Sequence, residues 1–281
     1  GSEMCIRDRS RRVGADDICI VYGHGGDEVR AAFDDPELRW ALQAEQLGTG
    51  HAVQQAMPET DEGNRVLVLY GDVPLLTTET MTRLLDSCSN DVGLLTVGMA
   101  DPFGYGRIIR EGSAIVRSVE ECDATEDEKR IMEVNTGVMC CPADRLKDWL
   151  ERLDNDNTQG EYYLTDVIAM AVSDGVPVVG VKATDQVEIM GIKQIADLKD
   201  GDTEVFLQAE IASKEDVRTV TTKFGETKVC TIKVKDASGE IKYTLWGKET
   251  DKEVGAVIQV AGGFVNSFRD ELQLNKGKKK Q

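Results

Sequence analysis

One position stands out for chemistry. Asp72 lies in LYGDVPLL (69–76), just past an apolar run, with Gly71 allowing close backbone approach. A carboxylate so placed suits Mg²⁺, which wants hard oxygen ligands and takes one or two carboxylates plus substrate phosphates. The structural alternative is a turn or helix-capping Asp before Pro74. QAEQLGTGHA (43–52) offers Gln43 and Gln46 as amide readers of a nucleobase edge, with Gly48-Thr49-Gly50 as a backbone approach. Alone, it is also an ordinary glycine turn entering a helix. GYGR (104–107), EVNTGVM (133–139) and NTQGEYYLTD (157–166) each read as turn or strand-edge chemistry, or as loops around a site. His24 and His51 read as structural, and no nucleophile–base–orienter set suggests acyl transfer.

The elements that must position these residues follow from hydrophobic rhythm. ICIVYG (18–23) and LRWALQA (38–44) read as strands, and DEVRAAF (27–33) and GTGHAVQQAM (48–57) as helices. RVLVLYGD (65–72) has the apolar continuity of a central strand in a mostly parallel sheet, buried on both faces. TTETMTRLLDSC (77–88) follows as a helix and VGLLTVGM (92–99) as a strand. Such alternation predicts an α/β sheet with its ligand site at the carboxyl ends of the strands. From about residue 193 closely spaced β segments predict a small barrel.

Charge divides the chain at the same place. The first 192 residues hold 17 basic and 36 acidic side chains, giving −19, against 16 and 15, giving +1, in the remainder. A segment at −19 repels nucleic-acid backbones, whereas the second segment carries no such handicap. No apolar run approaches a membrane span, and seven cysteines without repeated CxxC spacing suit reduced thiols in a cytoplasm.

The order of the motifs carries more than any one of them. VYGHGG, LQAEQLGTGHA, LYGDVPL, GYGRI, VEECDA, EVNTG and QGEYYLTD together resemble the uridylyltransferase half of the bacterial bifunctional N-acetylglucosamine-1-phosphate uridylyltransferase/glucosamine-1-phosphate acetyltransferase family. The resemblance covers residues 13–192. It implies a Rossmann-like, glycosyltransferase-A-type nucleotidyltransferase domain that moves UMP from UTP to N-acetylglucosamine-1-phosphate, releasing pyrophosphate. By the same resemblance Gln43 reads uracil, and Gly48 and Thr49 form the base-contacting turn. Tyr70, Gly71 and Asp72 form the nucleotide segment, with Asp72 holding Mg²⁺. Gly106, Glu120, Asn135 and Thr165 form the sugar-phosphate pocket.

The chain also departs from that family. The opening strand, its glycine-rich loop and the following Arg and Lys have no counterpart, and residues 1–12, GSEMCIRDRSRR, read as an artefactual leader. Lys193 stands where the family has a metal-ligating Asn. These departures imply impaired catalysis. They also imply that strands 18–23 and 65–72 pair directly or that the leader fills the gap between them.

Residues 193–281 resemble the OB-fold of replication-protein-A-like single-strand DNA-binding proteins, through TTKFGE, IKYTLWG and GFVNSFRDELQLN. That resemblance implies single-stranded DNA as a partner, with Lys223, Phe224, Trp246, Phe268 and Arg269 as contacts. Trp246 reads equally as a core residue. No linker separates the two segments, and the abrupt join is the pattern of a chimera. The competing functional expectation is therefore a DNA-binding protein carrying a nucleotidyltransferase remnant.

Overall fold

Short apolar runs become strands and amphipathic runs become the helices that cover them. The computed structural model describes residues 6–23, 26, 30–31, 35–191, 193–203, 205–222, 225–268 and 271–277. It comprises two units, Gly1–Ile189 and Met190–Gln281. The expected helix at 27–33 lies largely outside the described residues.

In the first unit a six-stranded sheet runs β6 (Ala114–Val119), β5 (Arg107–Glu111), β7 (Glu133–Pro142), β4 (Val92–Gly98), β8 (Val178–Lys182), with β3 (Arg65–Val68) also on β7. Only β4 and β8 pair parallel in this sheet; its other pairings are antiparallel. The expectation of a mostly parallel sheet with 65–72 at its centre is thus corrected. β3 has four residues, pairs antiparallel with β7 and is half-buried. Its apolar side chains are shared with helices rather than enclosed between two strands.

β1 (Ile18–Tyr22) pairs parallel with β2 (Leu38–Leu42) as a separate two-stranded sheet. It does not pair with β3, so the expected direct pairing is absent. Residues of the leader form a helix instead, α1 (Ile6–Arg12). Ile6 and Val13 pack against the buried cluster that includes Leu76, Met81 and Leu84, and Arg11 pairs with Asp35 at 2.9 Å.

The long strand β7 divides the core of this unit. Alternation along it sends Met139 and Cys141 to the face covered by α4 (Ala143–Glu151) and α5 (Asp166–Ser173). Val138 and Cys140 go to the face covered by α3 (Thr78–Asp86). Trp149, fully buried on α4, satisfies its indole N–H at Asp174 Oδ2, 2.8 Å away. α2 (Thr49–Ala56) starts at Gly48 and carries the Gln43–His51 region.

The second unit is all β. β9 (Val205–Lys214), β11 (Gly225–Lys235), β12 (Glu240–Trp246), β14 (Glu271–Asn275) and β13 (Val257–Phe268) pair in that order, and β13 pairs back onto β9. The five strands therefore close into a ring, with β12 and β14 parallel and the other neighbours antiparallel. β10 (Arg218–Thr222) forms a hairpin with β11 outside the ring. Val205, Ile211, Ile232, Val234, Leu245 and Leu274 fill its interior.

Candidate functional site

Three segments of the first unit meet around residues 161–165. Gly48, at φ 110°, enters α2 so close to this segment that an added Cβ would lie 2.6 Å from the Tyr162 carbonyl. Only glycine fits a left-handed backbone against another backbone in this way. Tyr162 N–H donates to Leu47 O at 2.8 Å, and Gly50 N–H donates to Tyr162 O at 2.8 Å. The Thr49 hydroxyl accepts from Leu164 N–H at 3.1 Å. Gln43 Nε2 donates to Gly48 O at 3.1 Å and lies 3.1 Å from His51 Nδ1. His51, read from sequence as structural, thus helps to orient the Gln43 amide.

One residue further along, the Thr165 hydroxyl donates to Glu120 Oε1 at 2.9 Å. Glu120 faces Gly106, where an added Cβ would stand 3.4 Å from both carboxylate oxygens. Gly106 O accepts from Asn135 N–H at 2.8 Å. The Asn135 side chain donates to Ser118 Oγ at 3.2 Å and accepts from Gly137 N–H at 2.8 Å. Asn135 and Thr165 are both buried. Next to Gly106, the buried Arg107 guanidinium donates to Glu121 at 2.6 Å, pinning the turn that presents Glu120.

The third segment brings Tyr70 and Asp72. The Tyr70 ring covers Gly137, whose φ is 78°, and a Cβ there would meet the ring at 2.6 Å. Burial pushes the Tyr70 phenol up to about 12, with Glu120 and then Asp72 adding negative charge nearby. Burial and Asp72 raise the Tyr105 phenol as well. Asp72 and Gly71 are themselves exposed. Tyr70 therefore packs on the Asn135–Gly137 turn within reach of the charges of Glu120 and Asp72.

Carboxylates crowd around Glu120. Burial first, then Asp123, raises Glu120 against the donation from Thr165. Burial, then Asp154, Glu120 and Asp123, pushes Asp166 up to about 6. Asp123 accepts from Thr158 N–H at 3.1 Å and from its hydroxyl, clasping loop 155–163 to the Glu120 turn. Ser118, Gly137, Tyr105, Arg107 and Tyr162 were not singled out as site residues from sequence. Four of them sit in the motifs GYGR, EVNTGVM and NTQGEYYLTD, but their individual roles come from partners elsewhere in the chain.

Of the ten residues expected around the nucleotide and sugar, Gln43, Gly48, Thr49, Gly106, Glu120, Asn135 and Thr165 connect through these contacts and Tyr70 covers Gly137, whereas Gly71 and Asp72 are exposed and Asp72 acts on Tyr70 through its charge. In the second unit Trp246 is 43% exposed and Phe268 55% exposed. Lys223, Phe224 and Arg269 lie outside the described residues. Lys193 pairs with Asp202 at 3.1 Å. An open concavity of about 440 Å³ in the second unit, lined by Gln208, Glu210, Lys235 and Asp236, includes none of the expected residues.

Residues 5–154 match the MobA-like NTP transferase domain family, which spans more than half of the sequence. The chain belongs to that family. The bifunctional protein GlmU of Dechloromonas aromatica (strain RCB) is 49% identical over 198 residues, covering 69% of this chain and 44% of that protein. The bifunctional protein GlmU of Aromatoleum aromaticum (strain DSM 19018 / LMG 30748 / EbN1) is 46% identical over 246 residues, covering 86% of this chain and 51% of that protein. The chain thus spans about half the length of the curated relatives it matches. A solved UDP-glucose pyrophosphorylase bound to UDP-glucose aligns over 62% of this chain and 76% of its own, at 14% identity and a TM-score of 0.49. Among the described residues, no helix is long and apolar enough to cross a membrane.

Proposed function

We propose that the first unit transfers UMP from UTP to N-acetylglucosamine-1-phosphate, giving UDP-N-acetylglucosamine and pyrophosphate. The observation that carries this reading is the continuous contact path from Gln43 through Thr49, Leu164, Thr165 and Glu120 to Asn135, with Tyr70 within reach of the charges of Glu120 and Asp72. Membership of an NTP transferase family and the identity to GlmU proteins support it.

With the Gln43 NH₂ directed at Gly48 O and His51, its carbonyl oxygen is the atom turned to a base. An acceptor there matches N3–H of uracil, where cytosine has only an acceptor. A sugar phosphate oxygen attacks the α-phosphorus, and the bond to the bridging oxygen of the β-phosphate breaks as pyrophosphate leaves. Such a transfer needs positioning and charge neutralisation rather than a covalent nucleophile. Glu120 and Asn135 orient the sugar from the buried side.

Among the described residues no group of three His, Cys, Asp or Glu side chains is arranged to hold a metal. A single exposed carboxylate, Asp72, still fits Mg²⁺, whose remaining ligands are substrate phosphates and water. Where the resemblance expects an Asn ligand the chain has Lys193, an ammonium that cannot coordinate a metal. When bound, Mg²⁺ supplies positive charge beside the leaving pyrophosphate. Pyrophosphate release from UTP with the sugar phosphate and Mg²⁺ should fall at least 100-fold in Asp72→Ala. Equal rates in the two proteins would overturn the assignment.

A second reading applies to the second unit alone. Numbered by position in the ring, its strands run 1-2-3-5-4-1 with 3 and 5 parallel. That connectivity supports an OB-type barrel, a fold that binds single strands on its outer face. Trp246, Lys242 and Lys233 lie on the outer side of β12 and β11, opposite to the buried Leu245 and Ile232. Salt-dependent binding of oligo-dT, weakened about fivefold or more by Trp246→Ala, is the expected result. Binding indifferent to both salt and Trp246 would remove this reading.

A further inference from the structure

Cys88, Cys140 and Cys141 lie away from the pocket, and all three are fully buried. Cys88 follows the last turn of α3, while Cys140 and Cys141 are neighbours on β7. Only Cys140 shares the α3 face of the sheet with Cys88. The strand register sets Gly93 of β4 directly across from Cys140. Gly93 leaves the space above it open, and a Cβ there would stand 2.6 Å from Ser87 Oγ and 3.0 Å from Leu84 O. The end of α3 therefore settles onto the sheet at this point.

That descent sets Cys88 in the same buried cluster as Cys140. There the Cys140 thiol and the Gly93 N–H act on the Cys88 sulfur, both lowering its thiol. Arg65, whose guanidinium donates to Leu85 O at 2.9 Å, adds positive charge to the pair. Asp91 opposes it, and Cys141, next along the strand but on the other face, adds a repulsive charge at Cys140. The hydrogen bond from Cys140 leads in lowering the Cys88 thiol, and the same bond, with burial, raises Cys140. One sulfur is thereby set up as nucleophile and the other as resolving thiol. Access comes from the turn that follows: Ser89 and Asn90 are exposed, so a local opening beside Cys88 admits a small oxidant without disturbing the strands.

We propose that Cys88 and Cys140 form a reversible intrachain disulfide on exposure to peroxide. The Cys88 thiolate attacks one peroxide oxygen, the O–O bond breaks, and the departing hydroxide takes a proton to become water. The resulting Cys88 sulfenic acid is attacked by the Cys140 sulfur. The S–S bond forms as the S–O bond breaks, and a second water leaves with the Cys140 proton. Two electrons pass from the two thiols to the peroxide, and a dithiol reductant reverses the bond by exchange. The bond ties α3, which follows the Asp72 loop, to β7, which begins beside Asn135.

The test exposes the full-length chain to hydrogen peroxide, alkylates it under denaturing conditions and maps its peptides by mass. A Cys88–Cys140 linked peptide two hydrogens lighter than its separate parts is expected, and dithiothreitol should abolish it. The link should vanish in Cys88→Ser and in Cys140→Ser and persist in Cys122→Ser, since Cys122 is an exposed thiol elsewhere in the unit. Recovery of both cysteines alkylated, under conditions that oxidise Cys122, overturns the proposal. Linkage of Cys88 to any other cysteine, or overoxidation that dithiothreitol does not reverse, overturns it equally. The unsubstituted chain alone decides between these outcomes.

Discussion

Asp166 sits at the start of α5, among the carboxylates that crowd around Glu120. The helix N-terminus favours its charge, yet burial and the charges of Asp154, Glu120 and Asp123 outweigh that and push it up to about 6. A carboxyl raised on folding binds more protons in the folded chain than in the unfolded one between its ordinary value and about 6. Stability therefore falls as pH rises through that window, and the penalty is complete above it. Asp166→Asn removes the penalty. Allowing for solvent screening of a half-buried group, the variant should gain about 1 kcal/mol over the parent at pH 7 relative to pH 4, measured by denaturant unfolding. A difference that does not change with pH would show that Asp166 is not strained by its neighbours. Individual site residues were legible where they sat in glycine-marked motifs, as Gly48, Asp72 and Gly106 do. Gly137 and Arg107 lie in such motifs too, but what they do, like what Ser118 does, depends on partners brought in by the sheet.

At the scale of elements, α3 fixes how the Asp72 loop leaves the sheet. Thr77 caps the helix by accepting from Thr80 N–H at 3.2 Å, and its own hydroxyl donates to the buried Glu188 at 2.7 Å. Thr77 N–H donates to the same carboxylate at 3.1 Å. Burial works to raise Glu188, but the donations from Thr80 and Thr77 hold it below the usual carboxylate range. Thr77→Ala loses the cap and one of these donors, and should cost about 1–2 kcal/mol of stability, with Thr77→Ser recovering most of it. Unchanged unfolding of Thr77→Ala would mean that the cap does not hold the loop. The helix at 77–88 and the strand at 92–99 were readable because their hydrophobic periods are strong. β3 was read as longer and more enclosed than it is. Four apolar residues suit both a central strand and one half-covered by helices, and hydrophobicity alone does not say which edge is paired. Residues 1–12 were read as an artefactual leader, because the arginines mask Ile6, which with the adjacent Val13 packs on the core cluster that α3 helps to build.

Across the whole molecule the change in charge near residue 193 coincides with a change in architecture. The boundary between the units falls at Ile189–Met190, and each unit has its own hydrophobic core. Charge and strand spacing made the all-β character of the second unit readable. A barrel was expected there, but not which strands close it: β9 pairs with β11 across about 20 residues and with β13 across about 50, and pairing at such separations leaves no local trace. In the first unit, joint motif order pointed to segments as far apart as Gln43 and Thr165, which contacts through Gly48, Thr49 and Leu164 bring near one another. Binding of UDP-N-acetylglucosamine, followed by calorimetry with Mg²⁺ present, tests that pocket most directly because it needs no turnover. Gln43→Ala and Asn135→Ala, changed at opposite ends of the contact path, should each weaken binding about tenfold or more, near 1.4 kcal/mol. Affinity unaltered by either substitution would contradict a shared nucleotide-sugar pocket.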